Sequence, residues 1–198
     1  MLGVFLDTET SGLNPHKHKI LELAYKIIDV KSGDLKHSFE TIVFQPQDEW
    51  QKADPESLKI NGFSWEQISQ GTKADQLAET IIVTFKDWDI KKGSAVFICQ
   101  NPSFDRAFFS QLIDPDIQEA LGWPYHWLDL ASMYWAENIR KGKNQLGPFP
   151  WETGVSKDRI SSVYRLPPED KPHRAMNGVN HLLLCYEAVV GFPEKTNK

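Results

Sequence analysis

The chain has 198 residues, 40% of them hydrophobic and 25% charged, with a net charge of −5. This suits one domain over 1–198 with a sizeable core, and it excludes a collagen-like or mostly disordered chain. The acidic balance argues against a broad cationic surface for long duplex nucleic acid, but a short strand can still be gripped through metal ions and backbone amides.

No apolar run approaches the ~20 residues of a membrane span. The stretch Met1–Leu6 is too short for a signal peptide and lacks a basic n-region and a cleavage site. No membrane contact and a cytoplasmic location are therefore expected. Cys99 and Cys185, in apolar surroundings, are expected as free buried thiols.

Gly3-Val4-Phe5-Leu6-Asp7 reads as a buried strand, and Thr10 to Pro15 as turn chemistry. Ile20 to Val30 predicts a second strand and Ser38 to Phe44 a third, joined by the turn Lys31–Asp34 into an antiparallel meander. Short helices are expected near Pro55–Ile60 and Ser64–Ile68. A longer one spans Lys73–Trp88, with Leu77, Ile81, Ile82 and Phe85 at helical spacing. Ala95–Cys99 is a fourth strand. Asn101 as N-cap and Pro102 at the first position start another helix. Residues 126–130 predict a fifth strand, followed by a helix from Ala131 to about Arg140. Lys141–Glu152 reads as a loop, Lys157–Tyr164 as a short helix and Pro172–Val190 as the last helix. The fold class is α/β with a five-stranded mixed sheet flanked by helices.

Asp7 and Glu9 are two apart on a strand, so their carboxylates share a face. Such a pair repels unless one is protonated or a cation intervenes. The spacing alone is common: Asp54/Glu56, Asp87/Asp89 and Asp114/Asp116 share it, and such pairs are mostly solvated surface. Asp7/Glu9 differs because it directly follows a buried strand. Alone, Asp105 reads as a helix-dipole partner in a first turn, and His173 as a surface histidine at a helix start.

Together these residues form a pattern. Asp7-Thr8-Glu9-Thr10-Ser11-Gly12-Leu13 resembles the first motif of the DEDDh (DnaQ-like) 3′–5′ exonucleases. Asn101-Pro-Ser-Phe-Asp105-Arg-Ala-Phe-Phe109 resembles their second motif, Trp127-Leu-Asp129-Leu130 the segment after it, and His173-Arg-Ala-Met176 the opening of the third. The resemblance implies an RNase H-like fold and metal-dependent release of nucleoside 5′-monophosphates from 3′ ends of single-stranded DNA or RNA. It implies two divalent cations, Mg²⁺ or Mn²⁺, roughly 3.5–4 Å apart. Asp7, Glu9 and Asp105 would be the metal ligands and His173 the general base. The backbone at Thr10 would meet the terminal 3′-hydroxyl, and Leu13 would wedge against the last bases. A polymerase or a second copy of the chain is the protein partner it suggests.

The pattern departs at one place. The family's last aspartate, five residues after the histidine, is Gly178 here. The expectation is impaired activity with a weakened second ion. The alternative is a catalytically silent relative that binds nucleic-acid ends or a protein. His181, three residues on along the helix, is a candidate substitute ligand that would favour Mn²⁺. The simpler reading makes it a partly exposed helix residue.

Overall fold

The computed structural model describes residues 1–145 and 148–195. Five strands form one mixed sheet: β1 (Leu2–Thr10), β2 (Ile20–Asp29), β3 (Leu35–Ile42), β4 (Ala95–Cys99) and β5 (Trp127–Asp129). Their order is β3-β2-β1-β4-β5. The first three pair antiparallel, as their short connections require, and β4 and β5 add in parallel beside β1. The helices among the described residues are α1 (Gln47–Trp50), α2 (Pro55–Asn61), α3 (Trp65–Ile68), α4 (Ala74–Asp87), α5 (Pro102–Phe109), α6 (Pro115–Ala120), α7 (Leu130–Gln145), α8 (Pro150–Thr153), α9 (Lys157–Tyr164) and α10 (Ala175–Val189).

Side-chain alternation along β1 divides the core. Val4 and Leu6 pack with Leu77, Ile81 and Phe85 of α4 and with Phe108 and Phe109 of α5. Phe5, on the other face, packs with Leu130 and Tyr134 of α7, Ile160 of α9, and Val179 and Leu182 of α10. Each fully buried side chain of this kind contributes roughly 1.5–3 kcal/mol. The sheet thus lies between α4/α5 and α7/α9/α10. Cys99 and Cys185 are free and buried.

Several elements differ from expectation. Two short helices, α1 and α6, were not predicted. The second had a legible signal, since Asp114 precedes Pro115 and accepts the Asp116 N–H at 2.8 Å as an N-cap. Helix α7 runs on to Gln145, and α8 begins within the expected loop 141–152; Leu146 and Gly147 of that loop lie outside the described residues. Asn101 does not cap α5 with its side chain. It takes a left-handed conformation, φ 60°, and its N–H donates to Asp129 Oδ1 at 3.0 Å. The last helix begins at Ala175 rather than Pro172, because Arg174 is extended and the His173 N–H donates to the Ile60 carbonyl.

One feature of the sheet creates room for a site. Strand β4 pairs with β1 only from Leu2 to Phe5, whereas β2 follows β1 to Thr10. The second half of β1 is left open on one side, at the carboxyl ends of the parallel strands. Open α/β sheets bind ligands at such ends.

Candidate active site

Asp7 and Glu9 lie within this open half of β1, opposite Ala24 and Glu22 of β2. They share the face of Phe5, which α10 covers. Asp105 of α5 reaches β1 where β4 has left it: its Oδ1 accepts the Thr8 N–H at 3.1 Å and the Thr8 hydroxyl at 2.9 Å. A side chain thus replaces the missing strand partner, and Asp105 is buried in doing so.

The loop after β1 is tied down by α2. Buried Asn61 donates its amide to the Thr10 carbonyl at 3.1 Å, and the Thr10 hydroxyl donates to the Gly12 carbonyl at 2.9 Å. Leu13 stands out at 75% exposure, an apolar tip beside the open strand end. His173 lies in the segment before α10, not on a helix as expected. Its imidazole is 38% exposed, with Nδ1 3.4 Å from Glu169 Oε1.

Three residues of this site escaped the sequence reading. Lys157, at the start of α9, brings its ammonium within 3.3 Å of Asp7 Oδ1 and 3.1 Å of Glu169 Oε2. Glu169 is buried; Lys157 and His181 lie against its Oε2 at 3.1 and 3.3 Å, and its Oε1 stands 3.4 Å from His173 Nδ1. Glu22 accepts the Ala175 N–H at 2.7 Å and so caps α10 from the neighbouring strand. Only the Glu22 position had a signal, a carboxylate between the apolar residues Leu21 and Leu23 of β2.

The structure also corrects the reading of His181. It is buried, not partly exposed, and its Nδ1 is turned to Glu169 Oε2 at 3.3 Å. Gly178 packs directly on Asp7. A Cβ added there would lie 2.6 Å from Asp7 Cγ, and closer still to Oδ2. Restoring an acid at 178 therefore collides with the carboxylate it would assist.

Burial and mutual repulsion dominate the electrostatics. Burial raises the Asp7 carboxyl, against the Lys157 charge. Burial and then Asp7 push Asp105 well above the usual carboxylate range. Burial, Asp7 and Glu22 push Glu9 to about 8. Glu169 is the exception: burial opposes its charge, but hydrogen bonding to His181 and the Lys157 ammonium hold it at about 2. Three crowded acids with raised pKa values are a set that a cation would relieve.

The two cations implied by resemblance ask for more donors than the site presents. Among the described residues no three His, Cys, Asp or Glu side chains already stand as a metal cage. Lys157 and Thr8 engage Oδ1 of Asp7 and of Asp105. The chemistry of Asp7, Glu9 and Asp105 suits one hard divalent cation. Position 178 offers no donor for a second, and an ammonium already occupies one side of Asp7.

Comparison with known proteins agrees with this geometry. A family model described as exonuclease, RNase_T, matches residues 4–177. The oligoribonuclease of Buchnera aphidicola subsp. Baizongia pistaciae is 30% identical over 109 residues, covering 53% of this chain and 67% of that protein. The oligoribonuclease of Vibrio campbellii is 25% identical over 132 residues, covering 66% and 71%. Among solved structures, E. coli exonuclease I in complex with a dT13 oligonucleotide superposes with a TM-score of 0.74 at 16% identity. That match covers 96% of this chain but only 41% of exonuclease I, so the chain spans about two fifths of that enzyme's length. A 3′-exonuclease that recognises a histone mRNA stem-loop superposes at 0.68 with 11% identity, covering 93% and 79%. At these identities the superpositions speak to the fold, a five-stranded mixed sheet of RNase H-like type.

Proposed function

The chain belongs to the RNase_T family of 3′–5′ exonucleases, and from that premise we propose that it trims 3′ ends of single-stranded nucleic acid, releasing nucleoside 5′-monophosphates. The observation that carries this reading is the open half of β1. It gathers Asp7 and Glu9 on one face, receives Asp105 through Thr8, and has His173 at its rim.

Asp7, Glu9 and Asp105 would hold a divalent cation, Mg²⁺ or Mn²⁺. When bound, it supplies charge neutralisation at the scissile phosphate and acidifies a water. The remaining roles fall to the chain itself. Glu169, held ionised 3.4 Å from His173 Nδ1, favours the proton on that nitrogen and so leaves Nε2 to take a proton from the attacking water. Thr10, fixed by Asn61, presents backbone to the terminal sugar. Leu13 offers an apolar surface to the last bases, a contact that tolerates any sequence.

The test is cleavage of 3′-labelled single-stranded DNA and RNA oligonucleotides with Mg²⁺ and with Mn²⁺. Mononucleotide release is expected, with His173→Ala lowering the rate by roughly 10²–10⁴. If the wild-type chain leaves every substrate intact with either ion while retaining end binding, the silent-relative reading replaces this one. Gly178 is the residue that favours that second reading.

A further inference from the structure

Resemblance implies four acids and two cations, yet this chain has a glycine where one acid belongs. The same neighbourhood holds a buried lysine. The Lys157 ammonium lies between Asp7 Oδ1, at 3.3 Å, and Glu169 Oε2, at 3.1 Å, and its side chain is 16% exposed. Gly178 closes on the other oxygen of Asp7, so a side chain there would have to displace that carboxylate. The missing donor, the filled space and the resident positive charge all adjoin one carboxylate.

A buried lysine needs paired anions, because desolvating an ammonium alone costs several kcal/mol. Lys157 has two. Glu169 has two further contacts, to His173 and His181. The lysine is therefore connected through one carboxylate to the histidine at the rim.

We propose that the Lys157 ammonium stands in for one of the two cations: this chain binds a single divalent ion, at Asp7, Glu9 and Asp105. Lys157 supplies fixed charge on the Asp7–Glu169 side, where it acts as a positioning residue for His173 through Glu169. This rests on the exonuclease reading above, since it presumes a cation at Asp7. An ammonium is a compact point charge with three donors. It neutralises and orients carboxylates without exchanging ligands, so half of the charge arrangement is permanent.

The experiment is Mn²⁺ titration by calorimetry, with free Mn²⁺ followed in parallel by electron paramagnetic resonance. The wild-type chain is expected to take up one Mn²⁺. Lys157→Arg keeps the charge and should keep that number. Lys157→Gln removes a repelling charge beside the ion, so Mn²⁺ should bind roughly tenfold more tightly while cleavage falls. A lysine whose charge did not act on the ion would not tighten metal binding when lost. Gly178→Asp alone should still bind one ion, because Lys157 holds Asp7 against position 178. The double variant Lys157→Gln/Gly178→Asp frees Asp7 to turn and should bind two. Two ions on the wild-type chain, or weaker binding by Lys157→Gln, would overturn the inference and leave the exonuclease reading intact. No Mn²⁺ uptake by the wild-type chain would overturn both.

Discussion

Gly178 is a residue whose environment reverses the usual rule. A glycine inside a helix normally costs about 1 kcal/mol relative to alanine. In α10 an alanine methyl would press on the Asp7 carboxylate, which Lys157 holds in place. Overpacking of that kind costs typically 1–3 kcal/mol. Gly178→Ala should therefore be net destabilising, by up to about 2 kcal/mol, measurable by urea denaturation. A stabilised variant would show that Asp7 moves freely. The raised acids set a second expectation. Glu9, pushed to about 8, holds a proton in the folded state that the unfolded chain releases above about 4.5. Its contribution to stability falls as pH rises from 4.5 to 8. His181, raised to about 9 by the neighbouring Cys185 sulfur and the Glu169 carboxylate, adds a loss of the same sign from 6.5 upward. Glu169, lowered to about 2, acts only below 4.5 and in the opposite sense: its stabilisation is lost as pH falls. In EDTA the Tm should decline between pH 5 and 8, and Glu9→Gln should make that decline shallower. A Tm that climbs over the same range would contradict the assignment of buried, mutually repelling acids.

Helix α10 shows how an element can depend on its neighbour. Arg174 at its N-cap makes no side-chain cap bond. The free N–H of Ala175 is met instead by Glu22 of β2, whose anionic oxygen also suits the positive end of the helix. Glu22→Ala should cost about 1–2 kcal/mol, the usual range for a lost cap. Glu22→Gln keeps an acceptor and should cost less. Both remove a negative charge that helps raise Glu9, so the Glu9 titration should fall below 8 in each, as carbon-detected NMR would read. An unchanged Glu9 would mean that burial and Asp7 set its pKa without Glu22. Elsewhere, Asp129 at the end of β5 binds the N–H groups of both Asn101 and Ala131. One carboxylate thus anchors the entry to α5, which carries Asp105, and the first turn of α7.

At the scale of the whole molecule, the site exists because β1 outruns β4. The sheet is well packed on both faces through Phe5 and Leu6 and then opens, placing the acids at the boundary between core and solvent. Crowding these acids destabilises the metal-free fold, and a cation should recover that loss by mass action. At Mn²⁺ concentrations about 100 times the Kd, the gain is about 2.7 kcal/mol. The Tm should rise accordingly on adding Mn²⁺, and Asp7→Ala should abolish the rise. An equal shift in both proteins would place the ion elsewhere.

The elements that sequence determined are those built on local pattern. The alternation and apolar runs of β1, β2 and β4, the turn residues between them, and the spacing of Leu77, Ile81 and Phe85 each act within a few residues. Ala95–Cys99 and Lys157–Tyr164 were legible to the residue. Short motifs were legible too, since Asp7 with Glu9, Asp105 and His173 each sit in a recognisable run. Lys157 and Glu169 belong to no such run. Each reads as an ordinary surface charge, and Lys157 meets Asp7 across 150 residues of chain. His181 failed for the same reason: helical geometry placed it near Gly178, but only the fold revealed that Glu169 would be there to receive it. Local propensity decides where strands and helices form. Which charges meet in the space between them is decided by packing, because burial makes an unpaired charge too costly and forces distant partners together.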